Sequence, residues 1–137
     1  MSAAYMLDTD IISYLVKGRH KQLQTRFQAI PPSSICTSSI TRAELVYGLK
    51  RLPGNHRLQI DIPFFLKTVS VICWDAKAAD IYAQIRYSLE IAGQTIGIAD
   101  AMIAAHAISS GAILVTNNTR HYARIALPLV LENWTTN

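Results

Sequence analysis

The stretch IGIADAMIAAHAISSGAILVT, residues 96–116, decides the fold. Its first part, from Ile98 to Ser110, is rich in alanine and isoleucine and predicts a helix that Gly111 ends. The continuous apolar run AILVT follows at once and is typical of a buried parallel strand. A helix that leads directly into such a strand predicts a domain in which helices and strands alternate.

The same alternation runs through the rest of the chain. Further strands are predicted at AYML, SICTS, VSVIC and PLVLEN. Further helices are predicted at Asp10–Val16, Arg19–Ala29, Thr41–Leu52, Arg57–Thr68 and Asp75–Ala92, with Pro63 as a kink or break and Asp75 as an N-cap. We therefore expect an α/β fold with a parallel sheet, in a single domain that spans residues 1–137.

Composition excludes several classes of protein. Half of the residues are hydrophobic and 16% are charged, which excludes a disordered chain. No apolar run reaches the roughly 20 residues of a membrane span, and the first residues lack a signal sequence, so a cytoplasmic location is expected. Cys36 and Cys73 form no CxxC pair and predict buried, reduced thiols.

Charge is distributed unevenly along the chain. Residues 1–70 hold nine Lys and Arg against four Asp and Glu, whereas residues 71–137 hold four against five. A basic half favours a polyanionic or acidic partner, although many charged faces are only solvated.

Three acidic residues lie where predicted elements meet. Asp8 follows the strand AYML, and Asp100 lies at the start of the helix before AILVT. Each carboxylate has an ordinary explanation, as an N-cap for Asp8 and as a favourable charge at a helix start for Asp100. Glu44 follows the strand SICTS, and Thr41-x-x-Glu44 also matches a capping box.

The carboxyl ends of parallel strands share one edge of a sheet, so these three acids are expected to converge there. Converging carboxylates repel one another and require a cation, and oxygen ligands favour Mg²⁺ or Mn²⁺. The loop after AILVT adds the hydroxyl of Thr116 and the amides of Asn117 and Asn118 at the same edge, unless it is only a polar turn.

Four segments together resemble the PIN-domain endoribonucleases of the VapC toxin type. They are MLDTDIIS, SSITRAELVYGLKR, IRYSLEIAGQTIGIADAMIAAHAISSGAILVTNNTRHYARI and LENW, in the family's order. The resemblance implies a three-layer sandwich with a five-stranded parallel sheet in the order 3-2-1-4-5, flanked by helices. It also implies that Asp8, Glu44 and Asp100 are the catalytic metal ligands, with Asn118 at a fourth, usually acidic position and His121 nearby.

The activity implied is Mg²⁺-dependent hydrolysis of an RNA phosphodiester bond that leaves a 3′-hydroxyl and a 5′-phosphate, with Mn²⁺ as a possible substitute. A transfer RNA such as the initiator tRNA is one candidate substrate. Candidate RNA-binding residues are Arg86, which matches a family arginine, and Arg42, Thr116 and Arg120 beside the motifs. For the arginines, a solvated surface or an ion pair within a helix is the alternative.

The resemblance also implies partners. VapC-type proteins form homodimers and bind a small VapB-type antitoxin, giving a larger toxin–antitoxin hetero-oligomer. The apolar runs ELVYGL and IPFFL are candidates for the contact surface, and core packing is the alternative for each.

Two rival hypotheses remain. A PIN-like domain could bind RNA or an antitoxin without cutting, although retention of all three carboxylates argues against a decayed site. Asp8-Thr9-Asp10 after a strand also has the DxD pattern of haloacid-dehalogenase-type phosphatases, but the later acidic pair of that class is absent from GIAD.

Overall fold

The computed structural model describes residues 4–136, which form a parallel sheet between layers of helices. The strands are β1 (Tyr5–Leu7), β2 (Ile35–Ser38), β3 (Ser70–Ile72), β4 (Ile113–Val115) and β5 (Leu131–Glu132). The helices are α1 (Thr9–Lys17), α2 (Lys21–Gln28), α3 (Ser39–Lys50), α4 (Leu58–Thr68), α5 (Ala76–Ile91), α6 (Ile98–Ser110) and α7 (Thr119–Tyr122). The sheet order is 3-2-1-4-5, so the expected fold is confirmed.

Strand β1 lies at the centre of the sheet. Leu7 is opposite Thr37 of β2 on one side and opposite Val115 of β4 on the other. The order of the strands reverses at β1, since β2 and β3 extend to one side and β4 and β5 to the other. The carboxyl ends of β1, β2 and β4 therefore meet at a switch point, where α/β proteins bind their ligands.

Alternate residues of the central strands face two separate apolar cores. Leu7, Ile35 and Val115 pack in the core that α1, α2, α3 and α4 cover. Met6, Cys36 and Leu114 pack in the core that α5 and α6 cover. Burial on both faces explains why these strands are continuously apolar in sequence.

The ends of the helices follow the predicted capping residues. Asp75 caps α5, because its side chain accepts a hydrogen bond from the backbone N–H of Ala78 at 3.0 Å. Gly111 ends α6 with a φ of 67°, in the left-handed region that glycine enters without a steric penalty.

Three local predictions are wrong. Helix α3 begins at Ser39 with Ser38 as its N-cap, so Thr41 lies inside the helix and forms no capping box with Glu44. Helix α4 continues through Pro63, so the predicted break does not occur, and the side chain of Pro63 is exposed. Cys36 is buried as expected, but Cys73 is exposed because it follows β3 at the edge of the sheet.

No helix in residues 4–136 is long and apolar enough to cross a membrane.

Candidate active site

Asp8 is a buried carboxylate at the end of the central strand. It is 5% exposed, and its Oδ1 accepts a hydrogen bond from the backbone N–H of Ile11 at 2.9 Å, which makes it the N-cap of α1. Burial raises the pKa of Asp8 from 3.8 to about 6, and the charges of Asp10 and Asp100 add to the rise. Hydrogen bonds from Thr116 and Ile11 oppose it. Asp8 is therefore a carboxylate whose charge the protein alone stabilises poorly.

Asp100 lies in the first turn of α6, near the same carboxyl edge of the sheet as Asp8. Its Oδ1 accepts a hydrogen bond from the hydroxyl of Tyr122 at 3.2 Å. A β-carbon added at Gly97, the N-cap residue of α6, would lie 3.5 Å from Oδ2 of Asp100. Asp100 is only half-buried, because it lies at the start of α6 and not in the core. An acidic residue can therefore be accommodated within the apolar sequence IGIADAMIAAHA.

Glu44 lies on the exposed side of the site. It projects from α3, and its Oε1 accepts a hydrogen bond from the hydroxyl of Thr9, the residue after Asp8. The Thr9 hydroxyl oxygen also lies 3.3 Å from that of Thr41, which is buried within α3. Thr9 thus connects the start of α1 to Glu44.

The charges of all three acids act on the hydroxyl of Tyr122, which contacts Asp100. Burial raises the pKa of Tyr122 far above its usual value, and the charges of Asp100, Asp8 and Glu44 contribute. Within residues 4–136, none of the three acids lies within 4.0 Å of a Lys, Arg or His nitrogen in an ion pair. The three acids therefore lie near enough to influence one titrating group, and none of them has an ion-pair partner among the described residues.

The donor chemistry of this cluster fits a hard divalent ion. Its ligand atoms are carboxylate oxygens, which Mg²⁺ and Mn²⁺ prefer. Yet no three Asp, Glu, His or Cys side chains in the described part of the chain stand close enough together to hold an ion as they are. Glu44 is engaged with Thr9, so the assignment of all three acids as ligands stays a prediction.

The loop after β4 differs in part from its prediction. Thr116 is fully buried, hydrogen-bonds to Asp8 and accepts a hydrogen bond from the backbone N–H of Asn118. Thr116 therefore holds Asp8 from the protein interior, and its assignment to RNA binding stays a prediction. The side-chain nitrogen of Asn118 lies 2.8 Å from Nδ1 of His121, which pairs the two candidates for the fourth position with each other.

The predicted RNA-binding arginines are all exposed. Arg86 pairs with Glu90 at 3.1 Å and donates to the hydroxyl of Tyr82 at 3.2 Å, which is the ion-pair alternative for this residue. Arg42 lies on the first turns of α3 and Arg120 on α7, so both flank the elements that carry site residues.

A cleft of about 710 Å³ opens beside Glu44 between α1, α3 and α4. Its floor is apolar, and its rim is mainly basic. The residues that contribute charge are Asp10, Lys17, Arg19, Glu44, Arg51 and Arg57. Asp8 and Asp100 do not line this cleft, which leads away from the acids along the protein surface.

Two links connect the helices that carry Glu44 and Asp100, a buried hydrogen bond and a partly buried bridge through Trp74. Nδ1 of His106, on α6, lies 2.8 Å from the hydroxyl oxygen of Ser38, the N-cap of α3. The indole of Trp74 donates to the carbonyl of Met102 at 2.9 Å, while its backbone N–H donates to the hydroxyl of Ser39. His106 is therefore a structural residue.

Sequence reasoning missed Thr9 and Tyr122. Thr9 lies between two acids of the DxD pattern, and that position is the only signal in the sequence that could have pointed to it. Tyr122 lies 22 residues after Asp100, and no spacing rule connects an isolated tyrosine to a carboxylate on another helix.

Comparison with known proteins gives a consistent result. The sequence model of the PIN domain family matches residues 5–127. The tRNA(fMet)-specific endonuclease VapC of Shigella flexneri is 38% identical over 130 residues, which cover 95% of this chain and 97% of that protein. Ribonuclease VapC2 of Haemophilus influenzae is 39% identical, with the same coverage.

A solved structure agrees with these sequence relatives. VapBC2 from Rickettsia felis, bound to a DNA fragment from its promoter, superposes with a TM-score of 0.88 and 36% identity. The match covers 96% of this chain and 98% of the other. The phosphatase hypothesis raised by Asp8-Thr9-Asp10 finds no support among these relatives.

Proposed function

We propose a function from one premise: this chain belongs to the PIN-domain family, and within it to the VapC-type ribonucleases. It is a Mg²⁺-dependent endoribonuclease toxin that hydrolyses phosphodiester bonds of RNA and is inhibited by a cognate VapB-type antitoxin. RNA in use by the ribosome lies in the cytoplasm, where we propose that this protein acts.

The buried carboxylate of Asp8 is the observation that carries the proposal. The side chain of Asp8 is 5% exposed, and an isolated charge at such a position costs several kcal/mol. The pKa of Asp8 therefore rises to about 6. Asp100 adds to this cost, and no ion pair relieves it within residues 4–136. A bound divalent cation would remove the cost, which is why these acids support a metal-dependent reaction.

In the proposed mechanism Asp8, Glu44 and Asp100 hold the divalent ion. When bound, that ion supplies Lewis-acid activation of water and neutralises charge that develops on the phosphate. Thr116 and the backbone N–H of Ile11 hold the carboxylate of Asp8, and Thr9 holds that of Glu44. Asp100 or Asp8 orients the attacking water or accepts its proton. Water attacks the phosphorus atom and passes its proton to Asp100 or Asp8, and the bond between phosphorus and the 3′-oxygen breaks. The 3′-oxygen leaves and takes a proton from solvent, so the products carry a 5′-phosphate and a 3′-hydroxyl, and no 2′-hydroxyl nucleophile is needed.

A tRNA substrate is supported by one relative and by the surface charge. The Shigella flexneri relative is named for its specificity toward tRNA(fMet). Arg42 and Arg120 are exposed on α3 and α7, and Glu44 lines the same cleft as four basic residues. Positive side chains around an acidic centre attract the RNA backbone to it.

We expect the purified protein to cleave initiator tRNA in Mg²⁺ and to stop cleaving when EDTA is added. Initiator tRNA should be cut at least about tenfold faster than elongator methionine tRNA, a modest discrimination for an enzyme pocket. Gel assays with end-labelled RNA measure the rates, and ligation-based sequencing identifies the new termini.

An Asp100→Asn protein purified in parallel is the control for contaminating ribonucleases. Cleavage that persists in EDTA, or termini with a cyclic phosphate, would contradict metal-assisted hydrolysis. Equal cleavage of the two tRNAs would contradict only the preference for initiator tRNA.

The antitoxin is proposed to bind over the cleft and the neighbouring outer face of α4. The cleft is apolar at its floor and basic at its rim, which suits an amphipathic segment. Phe64 and Ile60, one helical turn apart on α4, are 69% and 74% exposed, and Tyr47 of α3 is 64% exposed. Exposed aromatic and aliphatic side chains of this size mark an interaction surface. The runs ELVYGL and IPFFL thus contribute side chains to the surface as well as to the core.

Homodimerisation is proposed through a different face. Tyr87 and Ile91 of α5 and Ile98 of α6 are each more than 60% exposed, on the other side of the sheet from α4. The Rickettsia felis relative was solved as a VapBC assembly, which supports a hetero-oligomer for this chain as well.

Phe64→Ser is expected to weaken antitoxin binding by about 10- to 100-fold, because burial of a phenylalanine side chain is worth ~1.5–3 kcal/mol. Calorimetry with the cognate VapB-type antitoxin measures the affinity. The ribonuclease activity of the free toxin should not change, since Phe64 lies away from the acids.

Tyr87→Ser, a change at an equally exposed aromatic residue on α5, is the matched control and should keep full antitoxin affinity. Unchanged affinity in Phe64→Ser would place the antitoxin elsewhere.

A further inference from the structure

Tyr122 is a buried tyrosine on a short helix that packs against α6. It is 2% exposed, and its ring belongs to the apolar core that includes Ala101, Ala104 and Leu114. Its hydroxyl reaches out of that core and lies 3.2 Å from Oδ1 of Asp100. The side chain therefore has an apolar base and a polar tip directed at the acidic cluster.

The hydroxyl is not needed for packing. A phenylalanine would fill the same core without a polar group, and a buried hydroxyl costs free energy unless it is hydrogen-bonded. At neutral pH a phenol is a hydrogen-bond donor, and a carboxylate is an acceptor only. The ring of Tyr122 is sufficient to fill the core, so the role of the hydroxyl is to hydrogen-bond the carboxylate of Asp100.

We infer that Tyr122 is a positioning residue that fixes the orientation of Asp100. The inference rests on the proposed function, in which Asp100 helps to hold the divalent ion. The phenol engages Oδ1, while Oδ2 faces Gly97, where the lack of a side chain leaves space next to it. Tyr122 therefore fixes one carboxylate oxygen of Asp100, while the other lies beside the N-cap residue of α6.

The other acids are held in the same manner. Asp8 is held by Thr116 and by the backbone N–H of Ile11, and Glu44 by Thr9. Each of the three carboxylates thus has a protein donor of its own. Donors of this kind orient metal ligands, and their removal costs about 10- to 100-fold in metal affinity or activity.

Tyr122→Phe tests the inference, because it removes the hydroxyl and keeps the ring in the core. We expect kcat for RNA cleavage to fall about tenfold with KM within about twofold, and the Kd for Mn²⁺ to rise about tenfold. Calorimetry separates weaker Mn²⁺ binding from partial unfolding of the variant. Unfolded molecules lower the binding stoichiometry and leave Kd unchanged, whereas a disturbed site raises Kd. Thermal unfolding checks that the variant is folded.

Tyr5→Phe is the matched control. Tyr5 is a partly buried tyrosine that packs edge-on against Trp134, with ring centroids 5.2 Å apart, and its variant should keep the wild-type kcat and Kd. The inference is overturned if kcat or Kd in Tyr122→Phe stays within about twofold of wild type, or if Tyr5→Phe loses as much. If wild-type protein binds Mn²⁺ but does not cleave RNA, the proposed function fails, and the Mn²⁺ measurement still decides the role of Tyr122.

Discussion

Asp100→Asn should lower the rate of RNA cleavage by about a thousandfold or more and leave the protein folded. The amide keeps the shape of the side chain and accepts the hydrogen bond from Tyr122, but it removes one negative charge from the acidic cluster. Metal-assisted catalysis is worth several kcal/mol, and each 1.4 kcal/mol is about a tenfold change in rate. Single-turnover cleavage of tRNA in Mg²⁺ measures the loss.

Asp80→Asn is the matched control for Asp100→Asn. Asp80 is an exposed aspartate on α5, and the loss of its charge should leave the rate within about twofold of wild type, as is usual for surface substitutions. A folded Asp100→Asn protein with full activity would end the proposed mechanism. Asp8→Asn is expected to lose activity to the same extent, since both aspartates are assigned to the ion.

Asp8→Asn is also expected to make the metal-free protein more stable. The pKa of Asp8 is about 6 in the folded state and 3.8 as its ordinary value, so the folded state holds the proton more tightly. Below pH 3.8 the carboxyl group of Asp8 is protonated in both the folded and the unfolded state, so its burial carries no electrostatic cost. As the pH rises toward 6 the unfolded state ionises first, and stability falls by about 3 kcal/mol, at 1.36 kcal/mol for each pKa unit.

The gain in Asp8→Asn should therefore be largest above the folded-state pKa and fade as the pH falls. Asparagine caps helices as well as aspartate does, so the hydrogen bond from Ile11 is retained. Urea unfolding in EDTA, followed at several pH values, measures the free energy of unfolding of both proteins. Added Mn²⁺ should stabilise wild type and not the variant, because a ligand that binds only the folded state adds to stability.

Asp75→Asn is the matched control for the stability experiment. Asp75 caps α5 in the same way as Asp8 caps α1, but its side chain is exposed. We expect no gain in stability from Asp75→Asn at any pH. Equal stability of Asp8→Asn and wild type across the pH range would show that Asp8 carries no burial cost.

The fold was largely predictable because its determinants are local. The run AILVT and the helix before it show their periodicity within a few residues, and Gly111 and Asp75 mark helix ends by their own chemistry. The order of the strands is different, since nothing in the spacing of apolar residues states which strands are neighbours. That order came from the resemblance of whole segments to a family.

The positions of Asp8 and Asp100 were predictable for the same reason, because a residue at the end of a strand or the start of a helix lies at a known edge. The burial of Thr116 and the contact between Tyr122 and Asp100 were not. Both depend on how α7 and the end of β4 pack against α6 and β1. Such packing depends on elements that are far apart in sequence, so it cannot be predicted from any short stretch of residues.

The central place of β1 in the sheet determines when during translation this enzyme becomes active. The ribosome makes Asp8 about 100 residues before β4, which pairs with β1 on the side of Asp100 and begins at residue 113. Tyr122 emerges later still. A nascent polypeptide released before residue 113 lacks β4 and Tyr122, so we expect aborted synthesis to yield an inactive fragment.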